Sequence, residues 1–404
     1  MKARARRGRN WSAAAVIDWL LRDARLTTDT VALVEAVAAQ LLRAGAPLWR
    51  LRLGFFTLHP QLAAWTYNWK RGEPVQVERI PHGVQRTGAY IGSPAQRMID
   101  SGAQVRVRLG RLAASDHRVL HELARAGGTD YLLLPLRFSD GSRNVLAVAT
   151  DRARGFSARD LAQFEKLGHA LGAVLEVAAT RRAAETLLDT YVGHRSGRRI
   201  LGGLIHRGDA DEMQAAIWYA DLRDFTALTE RLPTPRLLEM LNAYFELVAQ
   251  AVTPRGGEIL RFMGDAMLIV FPAEPLGGIG AACAAALDAA HDAFARAGAL
   301  NADRLRRDCP TIRFGIGLHE GTVVYGNVGA PERLDFTVIG PAVNRAARLE
   351  TLTKKLNVPL LMSASFAAAA ARPARSLGRH RLRGLEEPVE VFALEEAPAA
   401  LRTA

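Results

Sequence analysis

A chain of 404 residues, 49% of them hydrophobic, is long enough for two or three packed domains and too apolar to be disordered. Its two cysteines, Cys283 and Cys309, lack metal-ligand spacing and exclude a disulfide framework, which fits a reducing, cytoplasmic setting. The net charge of +12 lies in one half: residues 1–195 hold 29 Lys plus Arg against 17 Asp plus Glu, whereas residues 196–404 hold 24 of each. Apart from the first nine residues the arginines are scattered and no nucleic-acid-binding motif accompanies them, so no specific nucleic-acid partner is expected. No apolar stretch reaches the length of a membrane span, and Ala13–Leu21 is broken by Asp18, so no integral membrane segment is expected.

Residues 1–27 read as a basic leader, loosely attached, with a short helix. From Thr28 a helical pattern follows (Val31, Leu33, Val34, Val37, Leu41, Leu42) and stops at Ala44-Gly45-Ala46-Pro47. Strand-like runs come next: Leu48–Leu58, Ala63–Trp69, Gln104–Leu109, Tyr131–Phe138 and Asn144–Thr150. Ser139-Asp140-Gly141-Ser142 joins the last two as a hairpin. Ser157 then stands as N-cap with Asp160 at N3, a capping box. Beyond it Leu161, Phe164, Leu167, Leu171, Val174, Leu175 and Ala178 recur on one face, and the pattern continues weakly to Tyr191 before Gly193. Such a helix can join two protomers as a short coiled coil or pack on its own domain, and the sequence leaves both open.

Helix, mixed strands and closing helix describe an α+β domain. The ending LLLPLRFSDGSRNVLAVATDRARGFSARDLAQFEKLGHALGAVLE resembles a GAF-type sensor domain, over residues 28–178. The resemblance implies a pocket for a small-molecule ligand facing the sheet. Trp49, Phe55, Phe56, Trp65, Tyr67 and Trp69 are candidates to line it, and equally serve as core residues. Residues 179–210 read as a helical linker, with the domain boundary in the polar, Gly-rich stretch His194–Asp209.

The second half opens with the β-run Ala215–Ala220, which ends at Asp221 and continues into Leu222-Arg223-Asp224-Phe225-Thr226. A strand ending in Asp and turning into a helix sets a carboxylate beside free backbone amides, a combination that binds metal and phosphates together. Thr234 as N-cap and Pro235 at N1 start the next helix, whose apolar face is Leu237, Leu241, Tyr244, Phe245 and Val248. The stretch EILRFMGDAMLIVFP, residues 258–272, then reads as a tight hairpin with Gly264-Asp265 at its tip and a cation, Arg261, among apolar neighbours. Adjacent strands bring Asp221 and Asp265 to one sheet edge, where two carboxylates repel unless a proton or cation lies between them.

Together with FGIGLHEGTVVYGNVG (314–329) and DFTVIGPAVNRAARLE (335–350), ADLRDFTALTE (220–230) and the hairpin resemble a class III nucleotidyl cyclase catalytic domain over residues 211–394, followed by a tail, 395–404. The resemblance implies a ferredoxin-like α+β fold and an adenylate cyclase: ATP becomes 3′,5′-cyclic AMP and pyrophosphate at a homodimer interface, under control of the N-terminal domain. It implies that Asp221 and Asp265, helped by the Leu222 carbonyl, hold two Mg²⁺ or Mn²⁺ ions, with Phe225 and Thr226 at the substrate phosphates. Asn344 and Arg348, four apart on one helix face, match the pair gripping the ribose and the migrating phosphate. Arg383 matches a position where the family usually has a triphosphate-contacting lysine. Arg261 stands where the family usually has a purine-reading lysine, and Thr337 at the position of that lysine's partner. Arginine donates only, in a planar fork, so the exchange bears on base choice rather than on cyclisation. The Glu and Cys of the family's guanylate cyclases are absent from these two positions, which favours adenine. The alternatives are a guanylate cyclase or a catalytically weak nucleotide-sensing or dimerisation module.

Overall fold

The computed structural model describes residues 11–27, 29–384 and 386–395, in two compact units divided between Leu187 and Leu188. The N-terminal unit runs α1 (Ala14–Arg22), α2 (Thr30–Ala44), β1 (Arg50–Phe56), β2 (Leu62–Lys70), β3 (Gln76–Pro81), α3 (Pro94–Ser101), β4 (Val105–Arg108), α4 (Arg118–Arg125), β5 (Asp130–Arg137), β6 (Arg143–Thr150) and α5 (Ala158–Val192). Its six strands form one antiparallel sheet, ordered β3-β2-β1-β6-β5-β4. Asp29 caps α2 by accepting from the Val31 N–H, and Gly45, left-handed at φ 86°, ends it. Thr28, where the sequence pattern begins, lies outside the described residues.

The leader departs from expectation. Trp11, Ala13, Val16, Leu20 and Ala24 are buried in the same core as α2 and α5, and the Trp11 Nε1–H donates to Asp160 at 2.8 Å. Helical spacing of these apolar side chains gives the segment a face worth burying; residues 1–10 lie outside the described residues. The capping box of α5 forms as read: the Ser157 N–H donates to Asp160 Oδ2 at 2.7 Å, and the Asp160 N–H to Ser157 Oγ at 3.2 Å. Phe164, Leu167, Leu171 and Leu175 are buried in the unit's own core, so this stretch of α5 packs on its own sheet. The six aromatics divide. Phe55, Phe56, Trp65 and Tyr67 border a cavity of about 20 Å³, room for one water, whereas Trp49 joins a separate cluster with Leu109, Leu120 and Leu123, and Trp69 packs on the main core.

The C-terminal unit carries α6 (His194–Leu201), β7 (Ala210–Leu222), α7 (Phe225–Arg231), α8 (Thr234–Val252), β8 (Glu258–Met263), β9 (Ala266–Pro272), α9 (Ala273–Leu276) and α10 (Ile279–Arg306). Then follow β10 (Phe314–Ala330), β11 (Arg333–Ile339), α11 (Pro341–Leu356), β12 (Leu360–Ser363), α12 (Ala364–Ala370), β13 (Ala374–His380) and β14 (Val389–Leu394). The sheet order is β13-β14-β12-β10-β7-β9-β8, with β11 paired to the far end of β10. Its centre, β10-β7-β9-β8 with helices after β7 and β9, is a ferredoxin-like βαββαβ core.

Strand alternation builds the layers. Ala216, Trp218, Ala220 and Leu222 of β7 face α8 and the alanine-rich α10, while Ala215 and Ile217 face Ala342 and Ala346 of α11. α8 starts one residue earlier than read, at Thr234, with Pro233 as N-cap and no side-chain capping bond. The polar stretch expected as a linker is tied down. Glu258 accepts from the N–H groups of Arg195 and Ser196 at 3.2 and 3.3 Å, Ser196 Oγ lies 2.6 Å from the Tyr325 hydroxyl, and Asn327 Nδ2 donates to the Leu204 carbonyl at 2.8 Å. Among the described residues no helix is long and apolar enough to cross a membrane.

Candidate active site

Two strand ends create the site. β7 ends in Asp221 and Leu222, and β9, its antiparallel neighbour, begins just after the Gly264-Asp265 turn. Gly264 takes φ 67°, the left-handed geometry of such a turn. The two aspartates thereby meet at one sheet edge. Burial, a hydrogen bond with the Asp221 carboxyl and the Asp221 charge push the Asp265 carboxyl up to about 6.

Residues outside the sequence reading complete the cluster. Lys354, in the last turn of α11, places Nζ 2.7 Å from Asp221 Oδ2. Burial works against its charge, but the bond to Asp221 and the nearby Glu350 and Asp221 charges raise its pKa overall. Glu350, one helical turn earlier and 2% exposed, is pushed up to about 7 by burial, with Asp221 and Asp265 adding, despite Lys354 and Arg223. Arg223 reaches across from the end of β7, with Nη1 3.3 Å from Glu350 Oε1 and Nη2 donating to Thr353 Oγ1. Beneath them the Tyr244 hydroxyl is buried without a partner among the described residues, and burial together with the Asp221, Asp265 and Glu350 charges raises it well above its ordinary value.

Three carboxyl groups thus face two cations. Asp221 and Asp265 are hard oxygen donors, and Mg²⁺ or Mn²⁺ sites use one or two protein carboxylates and take their remaining oxygens from water and substrate phosphates. Among the described residues no group of three or more His, Cys, Asp and Glu forms a metal cage. The donor set therefore fits a metal that arrives with a phosphate ligand.

α11 carries the other candidates. It starts at Pro341 after Gly340, and packs so closely on β10 that a Cβ on Gly317 would lie 2.1 Å from the Ala346 carbonyl oxygen. Asn344 is exposed near its start, while the Arg348 guanidinium lies over the loop bearing Arg383, where a Cβ on Gly384 would sit 3.3 Å from Nη2. Asn344 is ten residues before Lys354, about 15 Å along the axis. Among the described residues neither Asn344 nor Arg348 bonds to Asp221 or Asp265. Phe225 and Thr226 open α7; Phe225 packs on the core and Thr226 is exposed.

The hairpin cation is explained by a β-bulge. Between Ile259 and Arg261 the pairing with β9 shifts by one residue, so Leu260 packs into the cluster with Phe336 and Val338 while Arg261 stays 48% exposed. Its Nη2 lies 2.7 Å from Asp335 Oδ2 on β11, two residues before the 8% exposed Thr337. The signal for Asp335 was present, since residues two apart on a strand share a face. Lys354 and Glu350 were legible only as an i,i+4 pair on a helix.

Residues 210–395 match the family model described as adenylate and guanylate cyclase catalytic domain. Among curated proteins, an adenylate cyclase of Anabaena cylindrica is 32% identical over 195 residues, covering 48% of this chain and 37% of that protein. An uncharacterized protein of Mycobacterium tuberculosis is 37% identical over 185 residues, covering 45% of this chain and 32% of that protein. The chain spans about a third of the length of the curated relatives it matches. Among solved structures, a bacterial light-regulated adenylyl cyclase is 26% identical with a TM-score of 0.45, covering 56% of this chain and 63% of that one. Residues 210–395 belong to the adenylate and guanylate cyclase catalytic domain family.

Proposed function

We propose that this protein is an adenylate cyclase, converting ATP to 3′,5′-cyclic AMP and pyrophosphate in a homodimer. The observation that carries the reading is the meeting of Asp221 and Asp265 at one sheet edge of a cyclase catalytic domain, with a carboxyl charge left for a cation to neutralise. Asp221, the Leu222 carbonyl and Asp265 would hold two Mg²⁺ or Mn²⁺ ions. When bound, these ions acidify the ribose 3′-hydroxyl and neutralise the triphosphate.

The chain's own residues do the rest. The first-turn amides at Phe225 and Thr226 receive phosphate oxygens, and Arg383 reaches the triphosphate. Asn344 orients the ribose so that its 3′-oxygen attacks the α-phosphorus in line with the departing pyrophosphate. Arg348 donates a fixed fork to the α-phosphate oxygens as charge builds there. Arg261 reads the purine, with Thr337 on the neighbouring strand beside it. The separation of Asn344 from Lys354 along α11 supports a site completed by a second copy, one protomer giving the aspartates and the other Asn344 and Arg348.

The N-terminal unit acts as a GAF-like sensor whose small-molecule ligand modulates output. Support for it is the six-stranded antiparallel sheet packed by α2 and α5; the cavity bordered by Phe55, Phe56, Trp65 and Tyr67 has room for one water and would have to open to admit a ligand. The deciding experiment is incubation of the purified chain with Mg²⁺ or Mn²⁺ and either ATP or GTP, with the product identified by mass spectrometry. Cyclic AMP from ATP is expected; cyclic GMP alone would make it a guanylate cyclase, and no cyclic product from folded protein would leave a nucleotide-sensing module.

A further inference from the structure

Arg261 is paired in the structure, and its partner is Asp335 rather than Thr337. The Nη2–Oδ2 distance is 2.7 Å, with the two side chains 48% and 46% exposed. A pair this open contributes little to stability, since water and salt screen it and two long side chains must be held still. Its placement is nonetheless fixed. β11 pairs with β10 from Val324↔Ile339 to Ala330↔Arg333, and Phe336 and Val338 are buried on either side of Thr337. Slipping that register by one residue would expose both, so Asp335 and Thr337 are held on one face beside Arg261.

The chemistry of the pair is complementary to a purine edge. Arginine only donates, and an ionised aspartate only accepts. With Oδ2 engaged by Arg261, Oδ1 is left as an acceptor beside the guanidinium donors. Adenine presents N1, an acceptor, next to the donating 6-amino group. Guanine presents O6, an acceptor, next to two donors, N1–H and the 2-amino group. A donor beside a single free acceptor matches the adenine edge and leaves one guanine donor unpaired.

We propose that Asp335 is the acceptor half of a base-reading couple with Arg261 and sets the preference for the adenine nucleotide. The inference rests on the proposed placement of the nucleotide base at Arg261. Thr337, 8% exposed and two residues along the same strand, offers no carboxylate acceptor.

The test separates base reading from turnover. 3′-Deoxy-ATP and 3′-deoxy-GTP lack the attacking hydroxyl and cannot be cyclised, so their dissociation constants are measured on the full chain by calorimetry with Mg²⁺. Wild type should prefer 3′-deoxy-ATP. Asp335→Asn, which puts a donor where an acceptor stood, should weaken 3′-deoxy-ATP about tenfold or more while changing 3′-deoxy-GTP far less. With ATP itself the loss should fall on KM with kcat nearly kept, because a base contact is alike in ground and transition states. Asp335→Glu should restore most of the preference, and the exchanged pair Arg261→Asp with Asp335→Arg should bind better than either single variant. Dissociation constants within twofold of wild type for both analogues would overturn the inference, as would equal weakening of both with a lower melting temperature, or no binding of either analogue to wild type. If the analogue preference behaves as stated but wild type forms no cyclic product, the cyclase reading fails and the base-reading couple stands.

Discussion

Asp221 and Asp265 are where a single residue decides most. Glu350 is buried against Arg223 and Asp224 pairs with Arg313 at 2.7 Å, which leaves Asp221 and Asp265 as the metal-holding candidates of this cluster. Asp221→Ala or Asp265→Ala should leave less than about a tenth of wild-type kcat, which corresponds to more than about 1.4 kcal/mol of lost barrier reduction. Thermal melting should change little for Asp265→Ala, which relieves repulsion from Asp221, and fall modestly for Asp221→Ala, which also loses the Lys354 pair. His319 offers a pH test away from the chemistry. Burial, with Arg345 adding, holds its pKa down at about 4, so the folded chain keeps it neutral where the unfolded chain, near 6.5, takes up a proton. Its contribution is therefore present above pH 6.5 and lost as pH falls toward 4, a loss on the order of 3 kcal/mol. His319→Gln keeps an acceptor for Ser363 Oγ, which lies 2.7 Å from the imidazole Nδ1. In urea titrations the variant should lose less stability than wild type between pH 6.5 and 4; parallel pH profiles would remove His319 as the cause.

At the scale of elements, the site depends on how α11 is seated on the sheet. Arg223 at the end of β7 holds Glu350 and Thr353 of α11, and the glycines of β10 let the helix approach. Arg223→Ala leaves Glu350 buried without its bonded guanidinium, with Lys354 the remaining cation nearby. The loss should be about 3 kcal/mol at pH 8, where Glu350 would be ionised, and smaller at pH 6, where a carboxyl raised to about 7 is mostly protonated. Denaturant midpoints at the two pH values check the difference. Gly317→Ala should act through geometry instead. Its Cβ meets backbone at 2.1 Å, so α11 must shift, and activity should fall through kcat as Asn344 and Arg348 move. A variant with wild-type kcat would show that α11 does not position the reacting groups.

For the whole molecule, the decisive prediction concerns two copies. If the aspartates of one protomer work with Asn344 and Arg348 of the other, neither an Asp265→Ala nor an Arg348→Ala homodimer contains a complete site. Mixed dimers contain one complete site and one that lacks both functions. Mixing equal amounts should restore activity to at most about a quarter of wild type, provided differently tagged chains are shown to exchange. Background activity despite exchange would mean that the site is not shared. Removal of residues 1–187, at the division between the units, keeps α6 with its bonds to Glu258 and Tyr325, and the Leu204 carbonyl that accepts from Asn327. The truncated chain should change specific activity or the protein concentration at which activity appears. Unchanged activity at every concentration would reduce the N-terminal unit to a passive attachment.

Local chemistry carried much of this protein in its sequence alone. The capping box at Ser157 and Asp160, the Gly264-Asp265 turn, Pro341 opening α11 and the alternation of β7 are short-range patterns, settled by backbone geometry within a few residues. The ordered motifs likewise propose Asp221, Asp265, Asn344 and Arg348 as site residues. Only tertiary structure decided which long side chains meet. Lys354 lies 133 residues from Asp221 and Arg223 lies 127 from Glu350, separations at which no local pattern favours one partner over another. The bulge that turns Arg261 to Asp335, and the burial of Trp11 beside Asp160, arise in the same way. A strand register or a helix seat is set by the apolar surface buried around it, and the charged groups at its edges meet wherever that packing puts them.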